Sequence, residues 1–399
     1  MSENIILWDY TSHKALLPFT FTRPAALIRC GILTIAEKYS HYFKSEVSFF
    51  TEEYLQRKFT LSIHKGSNLL INATILPDDN FINACNNLAA GEVLMQDDVF
   101  LAGKLSADEI SHIAGSEKIP SAKQRNYNES ISAINHIWDI FSRNDQELRK
   151  DFALLTKGRK SQPIHESNYV KNAENIFLEE GAKVENASLN ASDGPIYLAA
   201  DAEIMEGSLV RGPFSLGEHS QLKLGAKIYG ATTIGPHCKV GGEVNNSVFF
   251  GYANKAHDGF VGNAVIGEWC NLGADSNNSN LKNNYEEVKV WSYEKNGFAR
   301  TGLQFAGLFM GDHSKCGINT MFNTGTVVGV SANIFGGGFP RNFIPSFSWG
   351  GSSGFTTYQL NKALDTAQKV FERRKIQLSE VDTAILNHIF EETKQHRNF

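Results

Sequence analysis

The sequence predicts a small α/β domain, then a prism of stacked coils, then a helical tail. Three observations carry that expectation. Seven apolar residues recur at intervals of six: Ile204, Val210, Leu216, Leu222, Ile228, Ile234 and Val240. Two places earlier runs a column of mostly small residues: Ala202, Ser208, Phe214, Ser220, Ala226, Thr232 and Cys238. Ahead of both columns, short apolar runs alternate with helical patterns. A period of six belongs to neither an α-helix nor a free strand, so each turn must stack on the last. With 42% of residues hydrophobic, seven hits in one register arise by chance with a probability of about 0.002.

In order along the chain, residues 5–8, 47–50, 69–71, 93–95 and 99–101 read as strands, with 32–43 as helix. Ser106 and Glu109 form a capping-box pattern opening a short helix. Ile131, Ile134, Ile137, Trp138 and Phe141 predict a helical connector over 130–155. Repeats occupy about 176–345, three hexads to a triangular coil of about 18 residues. Their phase slips by two after Val240 and resumes with Val248, Phe260, Ile266 and Leu272. A polar stretch, 275–304, contains no hexads and reads as a long loop. Repeats return with Met310, Cys316, Phe322, Val328 and Ile334. The tail, 356–399, reads as two amphipathic helices, the second capped by Ser379. The predicted domains are 1–160, 170–350 and 355–399.

The 399 residues carry a net charge of −5 with no basic face, which argues against nucleic-acid or anionic-membrane partners. No window reaches the roughly 18 apolar residues of a membrane span, and the start shows no basic, apolar leader. The five cysteines (Cys30, Cys85, Cys238, Cys270, Cys316) are scattered without metal-ligand spacing, which fits a reduced cytoplasm.

The segment richest in chemistry is 254–267, Asn-Lys-Ala-His-Asp-Gly-Phe-Val-Gly-Asn-Ala-Val-Ile-Gly, followed by Asn271-Leu272-Gly273-Ala274. It resembles the acetyltransferase half of the bifunctional glucosamine-1-phosphate N-acetyltransferase/N-acetylglucosamine-1-phosphate uridylyltransferase family. That family carries His-x-x-Tyr-x-Gly-x-Ala-x-Ile-Gly, then Asn-x-Gly-Ala. The resemblance implies a left-handed parallel β-helix, a homotrimer, and acetyl transfer from acetyl-CoA to a hexosamine 1-phosphate. It puts His257 at the catalytic base, Phe260 at the tyrosine position, Asn271 beside substrate and histidine, and Ala274 beside the acetyl group. A histidine titrating near neutral pH suits removal of a proton from an amino sugar's nitrogen. Backbone N–H groups at a coil edge suit the oxyanion. Lys255 and Lys282 are candidate phosphate contacts, and Gly317, Ile318 and Gly336 candidates for a pantetheine-lined surface. Where the family has a phosphate-binding lysine upstream of the histidine, this chain has Asn245. Its upstream arginine falls near Lys227, and Arg211 and Lys223 are further cations able to replace the charge.

The same resemblance extends to the start of the chain through Leu16-Leu17-Pro18-Phe19-Thr20-Phe21-Thr22-Arg23-Pro24, a stretch of the kind found in a divergent, Bacteroidetes-type branch. It implies an α/β nucleotidyltransferase-like, Rossmann-like domain. The glycine-rich phosphate loop of such enzymes is replaced by Leu7-Trp8-Asp9-Tyr10-Thr11-Ser12-His13-Lys14. Asp9, Lys14 and Arg23 are the nucleotide-binding candidates, and Asp97 and Asp98 the candidates for Mg²⁺. Three functions stay open on these residues. The first is acetyl transfer, with or without nucleotidyl transfer from UTP or dTTP. The second is nucleotidyl transfer alone, with the prism as trimerisation or effector module. The third is a non-catalytic sugar-nucleotide scaffold.

Overall fold

The computed structural model describes residues 3–116 and 123–399. The chain divides into two compact units. One holds Met1–Leu16, Thr22–Ile28 and Leu33–His136, the other Leu17–Phe21, Arg29–Ile32 and Ile137–Phe399.

The first unit is built on a six-stranded sheet in the order β2-β1-β3-β5-β4-β6. The strands are β1 Asn4–Trp8, β2 Val47–Phe50, β3 Asn68–Asn72, β4 Glu92–Gln96, β5 Val99–Leu105 and β6 Lys123–Asn126. β1 runs parallel to β2 and β3, and β5 antiparallel to its neighbours. Near-continuous apolar runs in β1 and β3 are what strands covered on both faces require. The helices are α1 Ile35–Phe43, α2 Glu53–Gln56, α3 Asp79–Asn86 and α4 Ala107–Ser116. The predicted capping box opens α4: Ser106 N–H donates to the Glu109 carboxylate (2.8 Å) and Glu109 N–H to the Ser106 hydroxyl (3.3 Å). The connector differs from expectation. Its start is extended, because Ile134 N–H donates to Thr74 O (2.9 Å) and Ser132 O accepts from Leu76 N–H (2.9 Å). Only α5 Asp139–Ser142 and α6 Asn144–Thr156 are helical, and both cluster with the second unit.

The second unit is the expected parallel β-helix. Its three walls are a six-stranded sheet (Tyr169–Lys171 to Phe260–Gly262), a nine-stranded sheet (Ile176–Leu178 to Phe343–Ile344) and a ten-stranded sheet (Lys183–Val184 to Gly354–Thr357). From Ile204 to Val240 the hexad residues point inward and stack, Ile204 on Leu222 on Val240, each at most 2% exposed. Beyond Val240 the inward places fall to Val244, Phe249 and Val261 rather than to the expected Val248 and Phe260. The interruption begins later than the pattern implies. Asn277–Asn278 forms one more rung, against Met321–Phe322. Asn278, 2% exposed, takes an inward place by accepting from Gly262 N–H (3.1 Å) and donating to Gly262 O (2.9 Å). Beyond this rung the chain leaves the prism in a hairpin, Lys289–Ser292 with Gly297–Arg300.

Along one corner the chain repeatedly turns through the left-handed region, at His219, His237, Tyr252, Trp269 and His313. Each such turn costs a non-glycine residue roughly 1–2 kcal/mol. The rings stack in return, with centroids 5.0, 4.6 and 4.1 Å apart from His219 through His237 and Tyr252 to Trp269. Offset stacking contributes about 0.5–1.5 kcal/mol per pair, which offsets part of that strain. The tail helix α7 Leu360–Glu372 adds Phe371 to the stack, 4.1 Å from Trp269. Helix α8 Glu380–Glu392 comes after the Ser379 cap, which forms a capping box with Asp382.

Two short N-terminal segments lie on the β-helix within this unit. Phe19 meets Phe250 at 5.3 Å, and Thr233 donates its hydroxyl proton to Gly31 O (2.9 Å). Asn144 on α6 accepts from Gly31 N–H (2.7 Å) and Asp151 from Ile32 N–H (2.8 Å). Gly31 sits at φ +88, where a Cβ would lie 2.3 Å from the Asp151 carboxylate.

Phe371→Ala removes the ring that ties α7 to the ladder. It should lower stability by about 3 kcal/mol in urea unfolding, whereas Phe335→Ala, at an exposed position, should stay within about 0.5 kcal/mol.

Candidate functional site

Corner length makes the principal groove. After Leu222, Lys255, Leu272 and Cys316 the next strands begin at Lys227, Phe260, Asn277 and Met321, but after Val240 the next begins at Glu243. The Gly241–Gly242 corner is therefore two residues shorter than those above and below it. This shortening is part of the phase slip seen in the sequence; the steps from Val244 to Phe249 and from Val261 to Ile266 are each one residue short as well. It leaves a notch of about 670 Å³ lined by Lys223, Leu224, Gly242, Ala256, His257, Asp258, Ala274 and Asp275. The tight corner needs glycine: a Cβ on Gly241 would sit 2.5 Å from Ala256 O, and Gly242 turns at φ +72.

His257 stands exposed on the long corner above the notch. Strand register puts Leu224, His257, Ala274, Ile318 and Gly336 on one corner line. Leu224 and Ile318 are each 69% exposed there. Gly317 is stacked on Gly273 one coil below, where a Cβ would meet Gly317 backbone at 2.4 Å. The wall leading from the corner carries Lys227, Glu243 and Phe260 in register, with Asn245 beside them. Asn245 donates to Tyr229 O (3.2 Å), and Asn277 Oδ1 accepts from Phe260 N–H (2.8 Å). Of the supplementary cations, Lys223 reaches the notch, while Arg211 pairs with Asp193 at 3.3 Å.

Other expected residues fall elsewhere. Asn271 points outward from the ten-stranded wall and accepts from Asn254 Nδ2 (2.7 Å), so within one chain it does not share the His257 notch. It lines a second groove of about 390 Å³ with Lys239, Tyr252, Asn254, Lys315, Arg373 and Arg374. Spacing alone hid this separation, because a residue three places before a corner sits on the wall. Lys255 is not a surface cation but is 1% exposed and points into the prism. Lys282 donates to Glu287 O (3.0 Å) within the interruption. Sequence reasoning missed Lys239, Lys315, Arg373 and Arg374 altogether; the only signal was a recurrent lysine before an inward residue.

In the first unit, Asp9 follows β1 and its carboxylate is already engaged, accepting from Ala25 N–H (2.8 Å) and from the Thr51 hydroxyl. Lys14 is exposed on a short 3₁₀ turn, and Arg23 is 5% exposed. Asp97 and Asp98, both at positive φ, form the tip of the β4–β5 hairpin beside Gln96, Asn126, Tyr127 and Asn128. Among the described residues no three His, Cys, Asp or Glu side chains gather as a metal site. Asp9 accepts one hydrogen bond on each carboxylate oxygen, and Asp97 and Asp98 stand exposed side by side at the hairpin tip.

The family described as Sugar nucleotidyl transferase matches residues 5–160. A bifunctional sugar-1-phosphate nucleotidylyltransferase/acetyltransferase of Sulfurisphaera tokodaii is 32% identical over 146 residues, 36% of each chain. A bifunctional protein GlmU of Methanocaldococcus jannaschii is 27% identical over 232 residues, 56% of this chain and 47% of that one. An Arabidopsis UDP-N-acetylglucosamine acyltransferase of solved structure aligns over 53% of this chain and 80% of that one, with TM-score 0.25 and 14% identity. The chain spans less than half the length of the curated relatives it matches. The family match and the two curated relatives support a divergent relationship to the bifunctional nucleotidyltransferase/acetyltransferase family that the sequence resembles.

Burial pushes Lys255 and Lys315 down from 10.5 to about 8. At these two lysines unfolding therefore takes up protons above pH 8, a contribution that raises stability with pH and is opposed from about pH 9 by the raised thiols of Cys85, Cys238, Cys270 and Cys316. Above 10 the raised tyrosines, Tyr229 among them, reverse the trend. Lys315→Met should remove its share of the lysine contribution, so the melting temperature of the variant relative to wild type should fall as pH goes from 8 to 10.

Proposed function

We propose that the chain transfers an acetyl group from acetyl-CoA to the amino group of a hexosamine 1-phosphate, with His257 as general base. The observation that carries this reading is His257 standing on a long corner directly over a notch cut by a shortened one. The names of the similar proteins, a nucleotidylyltransferase/acetyltransferase among them, support it. The imidazole takes a proton from the sugar nitrogen as that nitrogen attacks the thioester carbon. The tetrahedral intermediate collapses, the C–S bond breaks, and the imidazolium returns the proton to the leaving thiolate. Lys223 at the notch and Lys227 on the adjoining wall supply positive charge where Asn245 offers none. The apolar corner line, Leu224 to Ile318, suits the arm of the acyl carrier. A homotrimer in the cytoplasm belongs to the same reading, with Asn271 brought to a neighbour's His257 across the subunit interface.

Nucleotidyl transfer by the N-terminal domain is the second activity we propose, on the strength of the family match over 5–160. No metal-assisted step is assigned to Asp9, Asp97 or Asp98. Pyrophosphate release from UTP or dTTP with a sugar 1-phosphate tests it directly.

His257→Ala should lower thiol release from acetyl-CoA with glucosamine 1-phosphate at least about 100-fold, with melting temperature unchanged and no sensitivity to EDTA in the wild type. Equal turnover in mutant and wild type would refute the assignment of the base.

A further inference from the structure

The inward column of the ten-stranded wall runs Ile204, Leu222, Val240, Lys255, Leu272, Cys316 and Ile334. All but one are what a dry interior takes. Lys255, 1% exposed, occupies a place that a leucine or valine would fill without desolvating a charge. Its Nζ turns to the corner and donates to the carbonyl oxygens of His257 and Asp258, the latter at 3.0 Å.

The backbone explains why a cation belongs there. On ordinary coils the corner is tied to the corner below by a rung. Gly207 N–H donates to Asn186 O (2.9 Å), Gly225 N–H to Glu206 O (3.0 Å) and Asn319 N–H to Ala274 O (2.8 Å). Beneath His257 the Gly241–Gly242 corner lacks the residues for such a rung. Above it, Asp275 N–H donates to Asp258 O (2.9 Å) instead of to the carbonyl of His257, which holds the rung position. The His257 carbonyl is left without a backbone donor. Lys255 satisfies it from inside.

We propose that Lys255 is the positioning residue of the His257 corner, its buried ammonium replacing the missing rung and holding the two peptide planes that set the imidazole over the notch. Its consequence for turnover rests on the acetyl-transfer reading; the positioning itself does not. A purely structural lysine would contribute to stability and leave kcat alone.

The test uses the full chain with Lys255→Met, which keeps the volume and loses the donor, and Lys255→Gln, which keeps a shorter donor. Hydrogen exchange is followed at residues 256–259 and 271–272, alongside kcat and KM for acetyl transfer. In Lys255→Met, exchange at 256–259 should speed up about tenfold with 271–272 unchanged. In the same variant kcat should fall about tenfold or more with both KM values within about threefold. Lys255→Gln should fall between, and gives the reading should the methionine variant fail to fold. Inserting two residues between Gly241 and Gly242 in the Lys255→Met background should slow exchange again. Unchanged exchange at 256–259 in a folded variant overturns the proposal. Faster exchange together with an inactive wild type leaves the positioning standing and removes the acetyl-transfer reading instead.

Discussion

Registered stacking of one coil on the next governs the second unit. Each inward side chain rests on its counterpart a coil away, and each wall hydrogen-bonds to the wall above. A chain so constrained cannot vary along its walls without breaking every rung, so variation is confined to corners. Corners tolerate it because their outer side faces water and their backbone groups can find new partners. The notch, the long corner that overhangs it and the interruption after Asn278 are all corner events. The proposed chemistry lies where the repeat fails.

Much of this was legible. A hexad period has one physical interpretation, so the columns from Ile204 to Val240 placed the inward residues. Beyond the slip, where adjacent positions are both apolar, the period chose Val248 and Phe260 over the inward Phe249 and Val261. The capping residues Ser106 and Ser379 were legible because a cap is a local bond. The misreadings share a cause. Lys255 and Asn278 occupy inward places with polar side chains, and hydropathy cannot say that a polar group has found carbonyls inside. Ile131 and Ile134 are spaced as in a helix, yet their segment pairs with residues far away in sequence. Asn271 is a different case: the motif cannot show that, within one chain, the walls of a prism send it and His257 to different faces.

The two grooves of the second unit differ in kind. The notch is mixed, with Lys223 facing Asp258 and Asp275, and opens beside exposed apolar residues. The groove under α7 collects Lys239, Lys315, Arg373 and Arg374 around an asparagine pair. Its Lys315 ammonium, held by the His313 carbonyl at 2.8 Å, gains little from solvent. Aromatic stacking closes one side of that groove, since Trp269 is covered by Tyr252 and Phe371 on its two faces. Base stacking is thereby denied it, and charge is what it offers.

The segments around Phe19 and Gly31 have a consequence for synthesis. Their partners, Thr233 and Phe250, lie more than two hundred residues downstream. A ribosome that has just released the first domain's strands has not yet made what these segments bind. The aromatic stretch from Phe19 to Phe21 must therefore wait uncovered until more than half the chain has emerged. Neither half, expressed separately, carries both sides of that contact. Cutting the gene at a domain boundary read from sequence would leave a bare apolar strip on each product.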